Sequence, residues 1–221
     1  MNYQLKSTKG MKIKHPPILG HGAQGTVFKI GKNSALKLFN GYWYTIKNRP
    51  NDLEVARRMT SLELTHFLKP TRLIVNKKGL RGVETPIIKR GKKKLIDMNI
   101  KKIIDNLKAL RKDAAILSDN GIRLNDFNYD SVYISGDNIT IGDFSYFLLD
   151  DTQDLHKLND SALDVLFATD MVYGDYNYRN TVMLYENLYS QMRGRHFEDV
   201  LEDISSKGCK TIRQYIKSLH R

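Results

Sequence analysis

Between Gly20 and Lys37 the chain carries Gly20-His21-Gly22-Ala23-Gln24-Gly25 and, twelve residues after the last glycine, a lysine. Glycines at the first, third and sixth positions leave a backbone that can approach a phosphate closely, and the lysine supplies positive charge. A second set lies about a hundred residues further on, in Leu124-Asn125-Asp126-Phe127-Asn128-Tyr129-Asp130-Ser131 and in Ile141-Gly142-Asp143-Phe144-Ser145. Carboxylates such as Asp126 and Asp143 suit the orientation of a hydroxyl group and the binding of a hard cation.

These residues need ordered elements to hold them. Thr26-Val27-Phe28-Lys29-Ile30 alternates with period two, Gly31-Lys32-Asn33 is a turn, and Ala35-Leu36-Lys37-Leu38-Phe39 is a second apolar run. That pattern predicts strand, glycine turn, strand, hairpin turn, strand. In a Rossmann unit the glycines open a helix instead, so the flanks decide against that geometry. Asn51-Asp52 caps a predicted helix over 53–59, which Ser61 to Phe67 would extend. Runs at 71–75 and 82–88 predict a hairpin that completes a five-stranded sheet. Ile103, Ile104, Leu107, Leu110, Ala114 and Leu117 form the apolar stripe of a long helix over 98–119, ended by Asn120-Gly121. A hairpin over 132–141 separates Asp126 from Asp143 and would bring both to one end of the strand pair. Four more helices are predicted over 160–171, 181–192, 196–205 and 209–220, burying Leu163, Leu166, Phe167, Leu184, Leu188 and Tyr189.

On these residues the chain resembles the protein kinase family, whose glycine-rich loop reads GxGxxGxV and whose third strand carries an AxK lysine. The matching positions are Gly20, Gly22, Gly25 and Val27, then Ala35 and Lys37. The resemblance implies an α+β, two-lobed kinase-like fold: an N-lobe over 1–91 with a five-stranded antiparallel sheet and one helix, and a reduced, mainly helical C-lobe over 92–221. It implies ATP in the cleft, with Leu19, Val27 and Ala35 lining the adenine pocket and Lys37 on the phosphates. Glu54, with Glu63 as runner-up, would hold Lys37 by an ion pair. Asp126 would orient the acceptor hydroxyl, and Asp143 would bind magnesium, or manganese in its place. Residues around 84–91 would be the hinge between the lobes. By family likeness the acceptor is a serine or threonine of a protein.

The departures are specific. Leu124-Asn125 stands where the family has His-Arg, Asn128 where it keeps a lysine, Ser131 where an asparagine holds the second magnesium, and Ser145 where DFG has its glycine. Asn128 matches the Asp-x-Asn form of some compact bacterial kinases, and Ser131 offers the metal only a hydroxyl. Beyond Asp143 only 78 residues remain, without an Ala-Pro-Glu motif. The chain thus looks like the minimal kinases of bacterial pathogens and related microbes, secreted effector kinases included. A nucleotide-binding pseudokinase acting as an interaction module is the alternative. A small-molecule kinase is a further one, but there is no His-Gly-Asp triplet and no large acidic C-terminal pocket.

Composition bounds the rest. The chain of 221 residues is 41% hydrophobic and 27% charged, which predicts a folded protein able to bury a core. No stretch predicts a signal peptide or a transmembrane span. Cys209 is the only cysteine, so no internal disulfide and no thiolate metal site can form, which fits a reducing compartment. The expected location is the cytoplasm, or a host cytosol if the protein is exported, and the expected state is a monomer. A net charge of +12, clustered at Lys89 to Lys94, Lys101-Lys102 and the C-terminal Lys207, Lys210, Arg213, Lys217 and Arg221, favours anions and admits an acidic protein partner or substrate. Without interleaved aromatic residues, nucleic acid is not favoured.

Overall fold

The alternating runs after Ile18 become strands in the computed structural model, which describes residues 4–6, 12–14, 16–22, 24–40, 52–77, 79–88, 91, 94–125, 131–143, 147–174 and 178–219. Strands β1 (Gln4–Lys6) and β2 (Lys12–Lys14) pair antiparallel as a small separate sheet. Strands β3 (Ile18–Gly22), β4 (Gly25–Lys29), β5 (Ser34–Phe39), β6 (Arg72–Asn76) and β7 (Gly79–Pro86) form a five-stranded antiparallel sheet in the order β3-β4-β5-β7-β6. Helix α1 (Asp52–Ser61) lies between β5 and β6 in sequence, buries Val55, Ala56 and Met59, and packs against β6 and β7. The fold class is α+β, with six α-helices among the described residues.

The chain divides into two compact units, Met1–Ser61 with Lys69–Ile87, and Leu62–Leu68 with Ile88–Arg221. The first leaves its sheet at Pro86, and the Ile87 N–H still donates to Asn33 of that unit at 2.9 Å. The division therefore falls between Ile87 and Ile88. Helix α1 stops at Ser61 and does not run on to Phe67. Hydroxyls of Thr60 and Ser61 bond back to the carbonyls of Ala56 and Arg58, and the following N–H groups find a partner elsewhere. Glu63 is consequently an exposed loop residue.

The second unit is built on α2 (Ile100–Asp119), whose stripe from Ile103 to Leu117 is buried as its spacing predicts. Asn99 caps it through Lys101 N–H, and Gly121, with φ +64°, ends it in the left-handed conformation that glycine adopts without strain. Short β8 (Ile122–Arg123) pairs with β11 (Leu148–Leu149), and β9 (Val132–Ser135) forms a hairpin with β10 (Asn138–Ile141). Helices α3 (Leu155–Gly174), α4 (Tyr178–Gln191), α5 (Phe197–Ser206) and α6 (Ile212–Leu219) follow. Helix α2 packs against α3 and α5, and α3 against α4. Tyr189, expected in the core, is only half-buried, and its hydroxyl lies 3.2 Å from that of Thr169. A phenol keeps its polar end near a partner or water. No helix among the described residues is long and apolar enough to cross a membrane.

Candidate functional site

In the first unit, register decides which residues share a face. Val27 pairs with Lys37, Gly20 with Val27, and Lys37 with Val83, while Ala35 precedes Lys37 by two. Directly opposed residues, and residues two apart on one strand, project to the same side of a pleated sheet. Gly20, Val27, Ala35 and Lys37 therefore lie on one face. Leu19 is the extra residue of a bulge between Ile18 and Gly20, and is 48% exposed. A bulge turns its residue out of the regular alternation, so register does not assign Leu19 to that face.

The glycine turn closes with Gly22 opposite Gly25, and His21 Nδ1 lies 2.8 Å from the Thr26 hydroxyl across it. Gln24, buried within the turn, accepts a hydrogen bond of 2.5 Å from the Lys37 ammonium. Its own carbonyl accepts from Asn40 N–H at 2.9 Å. The Lys37 ammonium also sits 5.7 Å from the Phe39 ring centroid. Gln24 was not among the residues singled out by the sequence; its place between Gly22 and Gly25 was the available signal. As a neutral acceptor it orients the lysine under the turn without cancelling its charge. The Glu54 carboxylate, expected to take that role, lies on α1 with Arg58 Nε at 3.2 Å and Arg57 at 3.9 Å.

In the second unit, Asp143 and Ser131 come together at the open end of the β9–β10 hairpin. Gly142 N–H donates to the Ser131 carbonyl at 2.8 Å, and Asp143 follows with φ +58°. Asp143 is the one non-glycine residue with positive φ among the described residues. Aspartate tolerates that conformation better than most residues, but it still carries strain, and such strain gathers where a side chain is being aimed. Gly142 has its own reason for being glycine: a Cβ there would lie 2.5 Å from the Tyr133 ring. Asp126 and Asn128 lie outside the described residues, as does Phe144.

Buried polar groups on α2 and α3 brace the hairpin and the segments beside it, Asn106 at its turn end. Asn106 accepts from Ile139 N–H at 2.8 Å and donates to the carbonyls of Asp137 and Lys102 at 2.8 and 2.7 Å. Asp113 accepts from the N–H groups of Thr65 and His66 at 2.8 and 2.6 Å. So held, residues 66–68 run along β10: Ile141 N–H donates to the His66 carbonyl, and Leu68 N–H to the Ile141 carbonyl, both at 2.7 Å. Phe67 packs edge-on against Phe147 at 6.1 Å. Asn159 of α3, almost fully buried, accepts from Leu124 N–H at 2.7 Å and donates to the Ile122 carbonyl and Ser118 hydroxyl, fixing the strand that leads into the Asp126 segment. Past that segment, Asp150 is held below the usual carboxylate range by Thr152 N–H and by the Arg123 guanidinium.

Ser131 is buried, so of Ser131 and Asp143 the Asp143 carboxylate is the group whose chemistry suits magnesium, an ion that takes few protein ligands and fills its shell from phosphates and water. Among the described residues no three histidine, cysteine, aspartate or glutamate side chains cluster as metal ligands. No protein-family model matches the chain, and no curated protein sequence matches it.

Proposed function

We propose that the chain is a phosphotransferase of two-lobed, protein kinase-like architecture that moves the γ-phosphoryl group of ATP to serine or threonine hydroxyls of a protein. The observation that carries this reading is the register placing Gly20, Val27, Ala35 and Lys37 on one face, with the ammonium drawn to the glycine turn by Gln24. An apolar patch of Val27 and Ala35 suits a purine, and the turn's backbone and Lys37 suit its phosphates. Asp126 accepts the proton of the attacking hydroxyl as the new oxygen–phosphorus bond forms and the β–γ bridge breaks, with ADP as leaving group. Asp143, with Ser131 and Asn128, would hold a magnesium or manganese ion, which would supply positive charge to the phosphates. In the loaded state Glu54 leaves Arg58 for Lys37. On this reading the protein acts as a monomer in a cytosol, its own or a host's.

A second reading, a nucleotide-binding pseudokinase that serves as an interaction module, is favoured by the Glu54 carboxylate being held by Arg58 and Arg57. Incubation with γ-labelled ATP, either metal and a generic protein substrate separates the two. Phosphotransferase activity is expected to fall by about 100-fold or more in Lys37→Ala, as for loss of one group stabilising the transferring phosphoryl. Label incorporation equal in both proteins supports the interaction module.

A further inference from the structure

Two basic runs about a hundred residues apart in sequence meet in the second unit. The Ile100 N–H at the start of α2 donates to the Lys210 carbonyl at 2.9 Å. Just before α2, Asp97 receives the Arg213 guanidinium through bonds of 2.5 and 3.1 Å. These contacts set Lys101 and Lys102 beside Lys210 and the α6 face that carries Arg213 and, one turn on, Lys217. Lys207 adjoins them, its ammonium 5.9 Å from the Tyr215 ring. All five lysines are exposed.

This placement works against local stability. Lys101 and Lys102 occupy the first turn of α2, which holds no acidic residue, although peptide dipoles favour anions there. Charge retained where it opposes the helix points to a use other than folding.

We propose that this lysine face binds an acidic polypeptide segment. Charge selects an anion, and the surroundings select its class. The exposed large apolar side chains among the described residues are Ile18, Leu19 and Val75 in the first unit and Val165 on α3, so none stands among these lysines to insert into a membrane. Tyr215 is buried, which leaves no stacking platform for single-stranded nucleic acid. Asp97 and the exposed Asp105 interrupt the lysines; a duplex with evenly spaced phosphates meets them, whereas a polypeptide of uneven acidic spacing passes them by. The face makes this demand whether or not the first unit holds a nucleotide.

Fluorescence anisotropy tests it with a short labelled peptide of alternating glutamate and serine, beside a short DNA duplex and vesicles of phosphatidylcholine and phosphatidylserine. Replacing Lys101, Lys102, Lys210 and Lys217 by Gln is expected to lower peptide affinity about 10-fold or more, through lost electrostatic attraction. Replacing Lys29, Lys32, Lys112 and Lys157 by Gln removes the same charge elsewhere and is expected to change it by less than about 2-fold. Equal losses in the two variants, or no loss in the first, overturn the proposal. So does duplex or vesicle binding that is tighter than peptide binding and depends on the first four lysines. Carbodiimide coupling of the peptide to the unaltered protein is expected to join it at Lys101, Lys102, Lys207, Lys210 or Lys217, and coupling confined to other lysines overturns the proposal without relying on any variant.

Discussion

A Cβ on Gly25 would clash with the Leu38 carbonyl oxygen on the next strand, whereas one on Gly20 or Gly22 meets nothing within 4 Å among the described residues. Gly25 thus answers first to the close approach of β5, and Gly20 and Gly22 keep space open above the turn. Gly25→Ala is expected to cost about 1–3 kcal/mol in thermal or urea unfolding, the usual range for overpacking against rigid backbone. Gly22→Ala is expected to leave Tm nearly unchanged while weakening ATP binding. An equal loss of stability in both variants would contradict this division of roles. Gln24 makes a second distinction. Gln24→Glu would place a carboxylate on the Lys37 ammonium, and its charge would compete with phosphate; affinity for ATP is expected to fall about 10-fold, equivalent to roughly 1.4 kcal/mol. Gln24→Ala is expected to weaken it less, because it removes orientation without adding charge. Titration with a fluorescent ATP analogue measures both, and a gain in affinity for Gln24→Glu would contradict the role given to this pair.

At the scale of elements, α2 joins stability and site. Its apolar stripe packs on α3 and α5, while Asn106 bonds the strand that precedes Asp143 and Asp113 holds the Thr65–His66 segment beside that strand. Arg111, on the same helix and 16% exposed, bonds to both oxygens of Glu198 and to Asp164 at 2.5 Å, and to Asp160 at 3.2 Å. Burial by itself would push its pKa down, but Glu198 and Asp164 more than offset that and raise it. Arg111→Ala would leave two buried carboxylates without their cation, and a loss of about 3–5 kcal/mol is expected in urea unfolding. A change below about 1 kcal/mol would assign the cluster to the solvated surface. The stripe of α2, the glycine turn and both hairpins were legible in the sequence because each repeats over enough residues to show its period. Strands β1 and β2 were not, since three residues with one apolar centre carry no usable alternation. The addition of residues 66–68 to β10 was equally hidden, for it depends on Asp113, a polar residue on an apolar face whose partners lie about fifty positions earlier. Gln24, Asn106 and Asn159 share that character: single polar side chains whose value comes from tertiary partners.

Across the whole molecule, the chain separates into a sheet unit bearing Lys37 and a helical unit bearing Asp143, with residues 62–68 assigned to the second despite following α1. The strands flanking the glycine turn, the strand bearing Lys37 and the hairpin before Asp143 form where their alternation predicts strands. The sequence paired Lys37 with Glu54 from family likeness alone, whereas the structure draws Gln24 to the lysine and Arg58 to the glutamate. The proposed phosphoryl transfer needs Lys37, Asp126 and Asp143 to act on a single triphosphate. Mass-spectrometric mapping of phosphate on the purified protein after incubation with ATP and magnesium, wild type beside Asp126→Ala, tests that requirement most directly. Phosphorylated serine or threonine on the wild type, absent from Asp126→Ala, is the expected result, and the same phosphorylation on both proteins would contradict the account.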